Sequence, residues 1–432
     1  MTQRSHSRAS AGFTLVEMIV VTLLLAIAML GILAVFDASA RINKSESEVA
    51  DAQGSVRFGV YQMTRVIRMA GAGGLQVGQA IVTKTPAGLL GITASKEYDN
   101  VDTVAVTDIN SVDHNVRNGT DMIEVRGVIL SPLYSLLGNA CGGCNISGAS
   151  LAIPDQVNNA QLPAGLHYNN DDTNRPQFND SVAYTSSVTA GSPMYFLVAS
   201  GEDQSIGCTA PPAFPRYPLP IYNVALMTAA ATRAGNILTF SSLDFTLPKA
   251  KQLNGADPQG GPVAPVRITN LSRGGVLDDI VYFIDNTDPQ HPALAQGTRR
   301  GDKFDIVPIA DDVEDMQIAY GVDLNGDGVN PGISTTAGGD EWTPNVTGEA
   351  YADIPSFVSA GTTCPNLHSV MISLLAKSKN PDPTYRAPSA TGFRLMNVGL
   401  SGAVPITAMT NGNYRRRVQT LRITLRNYSF EE

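Results

Sequence analysis

The sequence has few charged residues, few histidines and none of the common catalytic motifs. Only 16% of its 432 residues are charged, and the formal net charge is −9. Since phosphate contacts need clustered Lys and Arg, this composition argues against a general nucleic-acid-binding role. The five histidines form no HExxH pair, and no G-x-S-x-G elbow is present. We therefore expect a protein that is not an enzyme and binds no nucleic acid.

The composition favours a folded protein with many loops. Hydrophobic residues make up 43% of the chain, and it contains 40 Gly and 26 Pro. This length supports a sizeable core in one large domain or in two to three ordinary ones. The mixture is typical of a β-rich body exposed outside the cytoplasm.

The N-terminus combines a short basic segment with a long apolar one. Residues 1–12 contain Arg4 and Arg8 and no acidic residue, and residues 13–36 are almost wholly apolar. As a helix with a rise of about 1.5 Å per residue, residues 13–36 extend roughly 36 Å, which is enough to span a bilayer. The basic segment should stay cytoplasmic, so the bulk of the chain should lie on the other side, in the periplasm.

This segment does not follow the pattern of an ordinary secretory signal. Such a signal has a small-residue cleavage site after its apolar region, whereas here Gly12 precedes the apolar run. A carboxylate, Glu17, also lies inside the run. An ionisable group costs at least about 2.5 kcal/mol at the centre of a bilayer. Glu17 is therefore either a tolerated group near the membrane interface or a residue with a specific partner.

The residues from Gly12 to Glu17, GFTLVE, resemble the type IV prepilin signature G-F-T-L-x-E. The resemblance implies that prepilin peptidase cleaves after Gly12 and that the new amino terminus, Phe13, is N-methylated. It also implies that Glu17 pairs with the N-terminal ammonium of a neighbouring subunit. In a water-poor filament core such a pair would fix the axial register. The implied partners are the major pilin, other minor pilins, an inner-membrane assembly platform and, before assembly, membrane lipid.

The helix is expected to continue past the apolar segment. Apolar residues recur every seven positions, with two more in a second row: Ile42, Val49, Val56 and Met63, then Val60 and Ile67. The glycine-rich residues 71–74 end this pattern. We predict one helix from about residue 14 to 70, with a membrane or filament-core part at 13–36 and an amphipathic part at 37–70.

Residues 75–432 show the pattern of a β-rich head. Short apolar or alternating runs between turn residues predict strands at 122–128, 194–199, 280–284, 370–375 and 418–425. The basic run Arg415-Arg416-Arg417 is expected to be the solvated start of a strand. Residues 130–190 and 200–265 are expected to form long loops or an inserted subdomain within 130–265. The predicted fold is α+β and pilin-like, with one long N-terminal helix joined to a large antiparallel β-rich head.

Three stretches of the head resemble the PilW family of minor pilins: residues 281–284, residues 313–323, and residues 414–417 together with 425–427. The resemblance implies a minor pilin that acts in pilus assembly and priming or at the filament tip. Its location would be the inner membrane first and then the pilus at the cell surface. Two alternatives remain open, which are a minor pseudopilin of a type II secretion system and a tip adhesin.

Two groups of residues suggest additional stabilising bonds. Asp323, Asn325 and Asp327 have the spacing of a calcium loop, which Asp340 and Glu341 would close; the alternative is a plain turn rich in Asp, Asn and Gly. The cysteines are Cys141, Cys144, Cys208 and Cys364. In an exported chain they favour structural disulfides, with three possible full pairings, over free thiols or a metal or redox site.

Overall fold

The computed structural model describes parts of the chain that together contain one long helix and many short strands. Described are residues 14–73, 81–82, 105–130, 134–135, 151–154, 194–199, 222–227, 232–234, 237–240, 243–244, 273–300, 303–323, 342–343, 366–382, 385 and 413–425. The chain divides into two compact units, Met1–Asp51 and Ala52–Glu432. The second unit is called the head below.

A single helix, α1, runs over Leu15–Ile67. Its bounds agree with the predicted 14–70 to within three residues at each end. The chain leaves the helix through a series of turns, in which Gly71 and Gly73 have positive φ angles of 75° and 95°. Glycine adopts such angles without steric cost, which explains why the helix ends at this glycine-rich segment.

The strands follow in chain order: β1 (Ile81–Val82), β2 (Ala105–Thr107), β3 (Asp113–Asn115), β4 (Ile123–Gly127), β5 (Tyr134–Ser135), β6 (Leu151–Pro154), β7 (Met194–Ala199), β8 (Tyr222–Met227), β9 (Thr232–Ala234), β10 (Ile237–Phe240), β11 (Leu243–Asp244), β12 (Arg273–Val276), β13 (Asp278–Asp285), β14 (Ala293–Arg300), β15 (Lys303–Asp311), β16 (Val313–Asp323), β17 (Trp342–Thr343), β18 (Asn366–Lys377) and β19 (Arg416–Thr424). Every pair of neighbouring strands within a sheet is antiparallel.

Two sheets form the centre of the head. The first sheet has the order β1-β4-β13-β14-β15, and the second has the order β17-β16-β18-β19. The two sheets are joined by Asp312 alone, since β15 ends at Asp311 and β16 begins at Val313. Asp312 has a φ of 55°, a left-handed conformation that Asp tolerates better than most residues. A one-residue connection therefore turns the chain from one central sheet into the next.

The remaining described strands form smaller groups. One sheet has the order β11-β8-β7-β12-β5, another has the order β6-β10-β9, and β2 pairs with β3 as a hairpin. Several of these strands lie between residues 130 and 265, where the sequence predicted long loops or an inserted subdomain. The sheet β6-β10-β9 is built wholly from this region. The region therefore contains ordered strands as well as the segments outside the described residues.

The main core lies between the last third of α1 and the two central sheets. On the helix, Val56, Met63 and Ile67 are buried, as the seven-residue spacing predicts. The sheets contribute alternate residues, such as Ile280 on β13 and Ile372 on β18. Ile42 belongs to the same predicted stripe but is 57% exposed. The predicted apolar stripe is thus buried along the part of the helix that belongs to the head.

The odd-numbered residues of β13 face a second, smaller core. Val281 and Phe283 pack there with Phe304 of β15 and Val116, which follows β3. Because side chains alternate along a strand, β13 is buried on both faces. This explains its continuous apolar sequence, VYFI, which the sequence analysis identified as a strand.

The five strands predicted from the sequence are all present. Strand β7 has the predicted bounds, and β4, β13, β18 and β19 overlap their predicted ranges. In β19 the alternation is also as expected, since Leu421 packs against the core and Ile423 is buried. The predicted α+β fold, one long helix followed by an antiparallel β-rich head, is confirmed.

The prediction for the basic run was wrong at its central residue. Arg416 is buried, with its side chain 3% exposed, and it forms an ion pair with Glu314 of β16 at 2.6 Å. Arg415 is bonded to Asp382 at 2.8 Å, and of the three arginines only Arg417 is exposed. The reason is topological: Arg416 begins β19, two strands away from β16 in the same sheet, and Glu314 is within reach across β18.

Candidate assembly site at the start of the helix

Thr14 and Glu17 form a capping box at the start of α1. Thr14 precedes the first helical residue, and its backbone N–H donates to Glu17 Oε2 at 2.9 Å. In return the Glu17 N–H donates to Thr14 Oγ1 at 3.3 Å, and the Thr14 hydroxyl donates to the same carboxylate oxygen at 3.0 Å. A capping box satisfies N–H groups that otherwise have no partner in the helix. The helix therefore begins directly after Thr14.

The sequence analysis missed the role of Thr14, although its signal was present. The T-x-x-E spacing of Thr14 and Glu17 is the usual signature of a capping box. Within the prepilin-like hexapeptide, the same two residues are therefore also a helix start. Gly12 and Phe13, the predicted processing residues, lie outside the described residues.

The helix after this cap exposes an apolar surface on all sides. From Leu15 to Phe36, its large apolar side chains are between 48% and 76% exposed. By length and hydropathy, α1 is suited to cross a membrane. A helix that is apolar all round requires lipid or other protein around it. Glu17 is the only charged residue within Leu15–Phe36.

The other predicted site residues lie mostly outside the described part of the chain. This applies to all four cysteines and to Asn325, Asp327, Asp340 and Glu341 of the calcium loop. Asp323 is described as the last residue of β16, and β17 pairs with β16 through Gly321 and Trp342. The two ends of the loop segment are thus on neighbouring strands. Within the described residues no group of acidic, His or Cys side chains is arranged to hold a metal.

The head contains two buried ionic clusters that the sequence did not reveal. One joins Glu314 on β16 to Arg416, with Lys377 of β18 at 3.9 Å. Burial lowers the pKa of Lys377, although Glu314 opposes this effect. These residues fix β16, β18 and β19 with respect to one another.

The second cluster lies across the first central sheet. Arg126 on β4 and Arg299 on β14 flank Asp279 on β13, at 3.6 Å and 2.6 Å. Burial alone would raise the pKa of Asp279, but the two guanidinium groups hold it below its usual value. Burial raises the pKa of Glu124 well above its usual value despite Arg126 at 2.7 Å. The pKa values of these two neighbouring carboxyl groups are therefore shifted in opposite directions.

Comparison with known proteins gives two family matches, one at each end of the chain. A model described as a prokaryotic N-terminal methylation motif matches residues 7–33, which include the capping box and most of the apolar segment. A model described as Type IV Pilus-assembly protein W, PilW, matches residues 281–427, which include most of β13 and all of β14–β19. The chain is a PilW-like, type IV prepilin-like protein.

This prepilin-like protein is a minor pilin-like subunit of a type IV pilus, with the long apolar helix and antiparallel head of a pilin-like fold. Among solved structures, a type IV-like pilin from Thermus thermophilus is similar at 14% identity, with a TM-score of 0.18, over 59% of this chain and 100% of that one. No match was found among curated proteins. The family matches imply other pilins as assembly partners and a membrane-anchored stage, and they favour a non-enzymatic subunit.

Proposed function

We propose that this prepilin acts in a priming or tip complex of the pilus. The chain inserts through residues 13–36 with its head in the periplasm, and prepilin peptidase cuts after Gly12. Phe13 then becomes the methylated amino terminus. The processed subunit joins other minor pilins on the inner-membrane assembly platform, and major pilins polymerise beneath the complex. The observation that best supports docking through Glu17 is the arrangement of its two carboxylate oxygens.

The two oxygens of Glu17 have different surroundings. Oε2 accepts both hydrogen bonds from Thr14, whereas Oε1 accepts none from the described residues. The carboxylate is therefore held in one orientation by its own helix, with an oxygen available to another group. In the apolar surroundings of a filament core, a charge-assisted bond to an ammonium is stronger than the same bond in water. The capping box thus prepares the carboxylate for the amino terminus of a neighbouring subunit.

Three substitutions separate docking from helix capping. Glu17→Gln keeps an oxygen that can accept the Thr14 N–H but removes the negative charge. Glu17→Ala removes both, and Thr14→Ala removes the hydroxyl while keeping the carboxylate. We expect all three chains to be cleaved, and we expect Glu17→Gln and Glu17→Ala to be absent from sheared filaments. Thr14→Ala should be incorporated, at a reduced level.

The measurement is an immunoblot of sheared pili and of membranes from the native host, with mass spectrometry of the amino terminus. Normal incorporation of Glu17→Gln would show that Glu17 acts only as a helix cap. In a separate variant, replacing Gly12 with a bulky residue should block cleavage, so that residues 1–12 remain attached. Recovery of wild-type protein with these residues intact, beside other correctly trimmed prepilins, would contradict the proposed processing.

Deletion of the gene distinguishes the pilus from the type II secretion alternative. We expect loss of surface pili and of twitching motility, with exoenzyme secretion unchanged. The opposite result would assign the protein to a secretion filament.

A further inference from the structure

The head has a cleft, lined by both polar and apolar groups, that the assembly function does not use. It has a volume of about 660 Å³ and lies between two loops. One covers residues 115–118 and starts at the last residue of β3, and the other covers residues 286–289 after β13. We call it the asparagine cleft, because Asn115, Asn118 and Asn286 line it together with Arg117. Its volume is in the range of about 300–1,000 Å³ that is usual for small-molecule sites.

The walls of the asparagine cleft are fixed by hydrogen bonds between the two loops. The Asn286 N–H donates to the Asn115 carbonyl at 2.7 Å, and the Arg117 N–H donates to the Ile284 carbonyl at 2.9 Å. Beside them, the His114 ring is bonded to Asp285 at 2.6 Å. A cleft held by backbone bonds is preformed, so a ligand would not have to order it.

Several polar groups on these walls have no hydrogen-bond partner in the part of the chain that the structure describes. Among the described residues, the Arg117 guanidinium forms no hydrogen bond and no ion pair, and the side-chain amides of Asn115 and Asn286 form no hydrogen bond. Asp285 lies between the loops, but its carboxylate is already engaged by His114 and by the Thr287 hydroxyl at 2.6 Å. The half-buried Arg117 interacts electrostatically with the buried Asp315, but it forms no hydrogen bond to that carboxyl group, so its N–H donors are available to a ligand in the cleft.

The chemistry of these groups defines a class of ligand. The guanidinium has a planar fork of donors that matches a carboxylate, whereas each amide offers both a donor and an acceptor, as paired hydroxyls require. Ala105, Val116 and Pro289 supply the apolar part of the lining, against which the ring of a sugar can pack. We propose that the asparagine cleft binds an acidic saccharide, with Arg117 on the sugar carboxylate and Asn115 and Asn286 on neighbouring hydroxyls.

The proposal is independent of docking through Glu17, so it is tested on the purified full-length chain in detergent micelles. Trigalacturonate is titrated by calorimetry, and the neutral galactotriose serves as the matched ligand. We expect saturable binding of trigalacturonate only. Arg117→Gln should weaken it by about tenfold or more, since a bond to a charged group is worth about 1.5–3 kcal/mol and tenfold is about 1.4 kcal/mol. Asn286→Ala removes a bond between neutral groups and should weaken it by about two- to tenfold.

Arg417→Gln is the control, because Arg417 is exposed on β19 and does not line the cleft. It removes the same charge and should leave the affinity unchanged. A thermal melt of each variant verifies folding, and Asn286→Ala provides the test if Arg117→Gln does not fold, since it keeps the backbone bond to Asn115. The proposal is overturned if the wild type shows no saturable binding, if it binds both sugars equally, or if the cleft variants bind as the wild type does.

Discussion

The ion pair between Arg416 and Glu314 allows a quantitative test of the head structure. Both side chains are nearly completely buried, at 3% and 6% exposure, and two bonds join them, Nε to Oε2 at 2.6 Å and Nη2 to Oε1 at 3.3 Å. Removing one member of a buried pair leaves an uncompensated charge, which costs about 3–5 kcal/mol. For Arg416→Met we expect the lower end of that range, because Lys377 Nζ remains 3.9 Å from Glu314.

A double variant tests whether the uncompensated charge of Glu314 causes the loss of stability in Arg416→Met. When Arg416→Met is combined with Glu314→Leu, no carboxylate is left without a partner, and the new side chains are apolar. Replacing a whole buried pair in this way is often neutral or stabilising. Lys377 keeps its bond to the Gln290 carbonyl at 2.6 Å. The Lys377 ammonium, however, loses the Glu314 carboxylate at 3.9 Å. We therefore expect the triple variant, with Lys377→Met added, to recover most of the stability lost in Arg416→Met, and the double variant to recover less.

The fluorescence of Trp342 can report on the unfolding of the sheet that contains Glu314 and Arg416. It is the single tryptophan of the chain, it is buried, and it lies on β17 in the same sheet as Glu314 and Arg416. Its fluorescence during urea unfolding of the full-length chain reports the loss of this sheet. The control is Arg417→Met, which removes an exposed neighbour and should change stability by less than about 0.5 kcal/mol. Equal midpoints for Arg416→Met and Arg417→Met would refute the buried pair.

Four further outcomes are expected. Gly54→Ala should stabilise the head by up to about 1 kcal/mol, since nothing lies near its added Cβ. Gly59→Val should destabilise the head by about 1–3 kcal/mol, because even a Cβ at this position would lie 3.0 Å from Leu294 Cδ2. Urea unfolding of each variant measures both changes. Burial raises the pKa of Asp315 from 3.8 to about 7. Between about pH 4 and pH 7 this carboxyl group ionises in the unfolded chain but not in the folded one, so the free energy of unfolding falls as the pH rises through this range. The difference in the free energy of unfolding between Asp315→Asn and the wild type should thus change in favour of the variant by up to about 4 kcal/mol between pH 4 and pH 8, as measured by urea unfolding. A difference that does not change with pH would contradict the raised pKa of Asp315. Calcium should raise the melting temperature of the wild type but not of a chain that carries both Asp323→Ala and Asp327→Ala. Equal responses of the two chains would favour the plain turn.

The features that the sequence predicted well depend on local patterns. The helix was found because a continuous apolar run, a seven-residue stripe and a glycine-rich end all lie on one segment. Strands such as β7 and β13 were found from short apolar runs between turn residues. Each signal is contained within one element, so neither the sheet order nor the partner of any strand is needed to recognise it.

The features that were missed depend on the arrangement of distant segments. The asparagine cleft joins residues 115–118 to residues 286–289, and no pattern in either loop indicates that they meet. Gly59 looks like an unfavourable residue within a helix, until the contacts with Leu294 and Ala310 show that it allows a close approach of helix and sheet. The pairing of β4 with β13 likewise brings Arg126 beside Asp279.

Charged residues show most clearly why some features are predictable from the sequence and others are not, since the role of a charged side chain depends on where its partner lies. Glu17 has a partner three residues away, so its cap is readable in the hexapeptide itself. The partner of Arg416 is 102 residues away in sequence, and the basic run alone therefore suggested a solvated segment. The proposed second partner of Glu17 lies on another subunit, beyond any contact within one chain. For that reason the charge-removing Glu17→Gln variant, which preserves the local partner, is the substitution that separates the two roles.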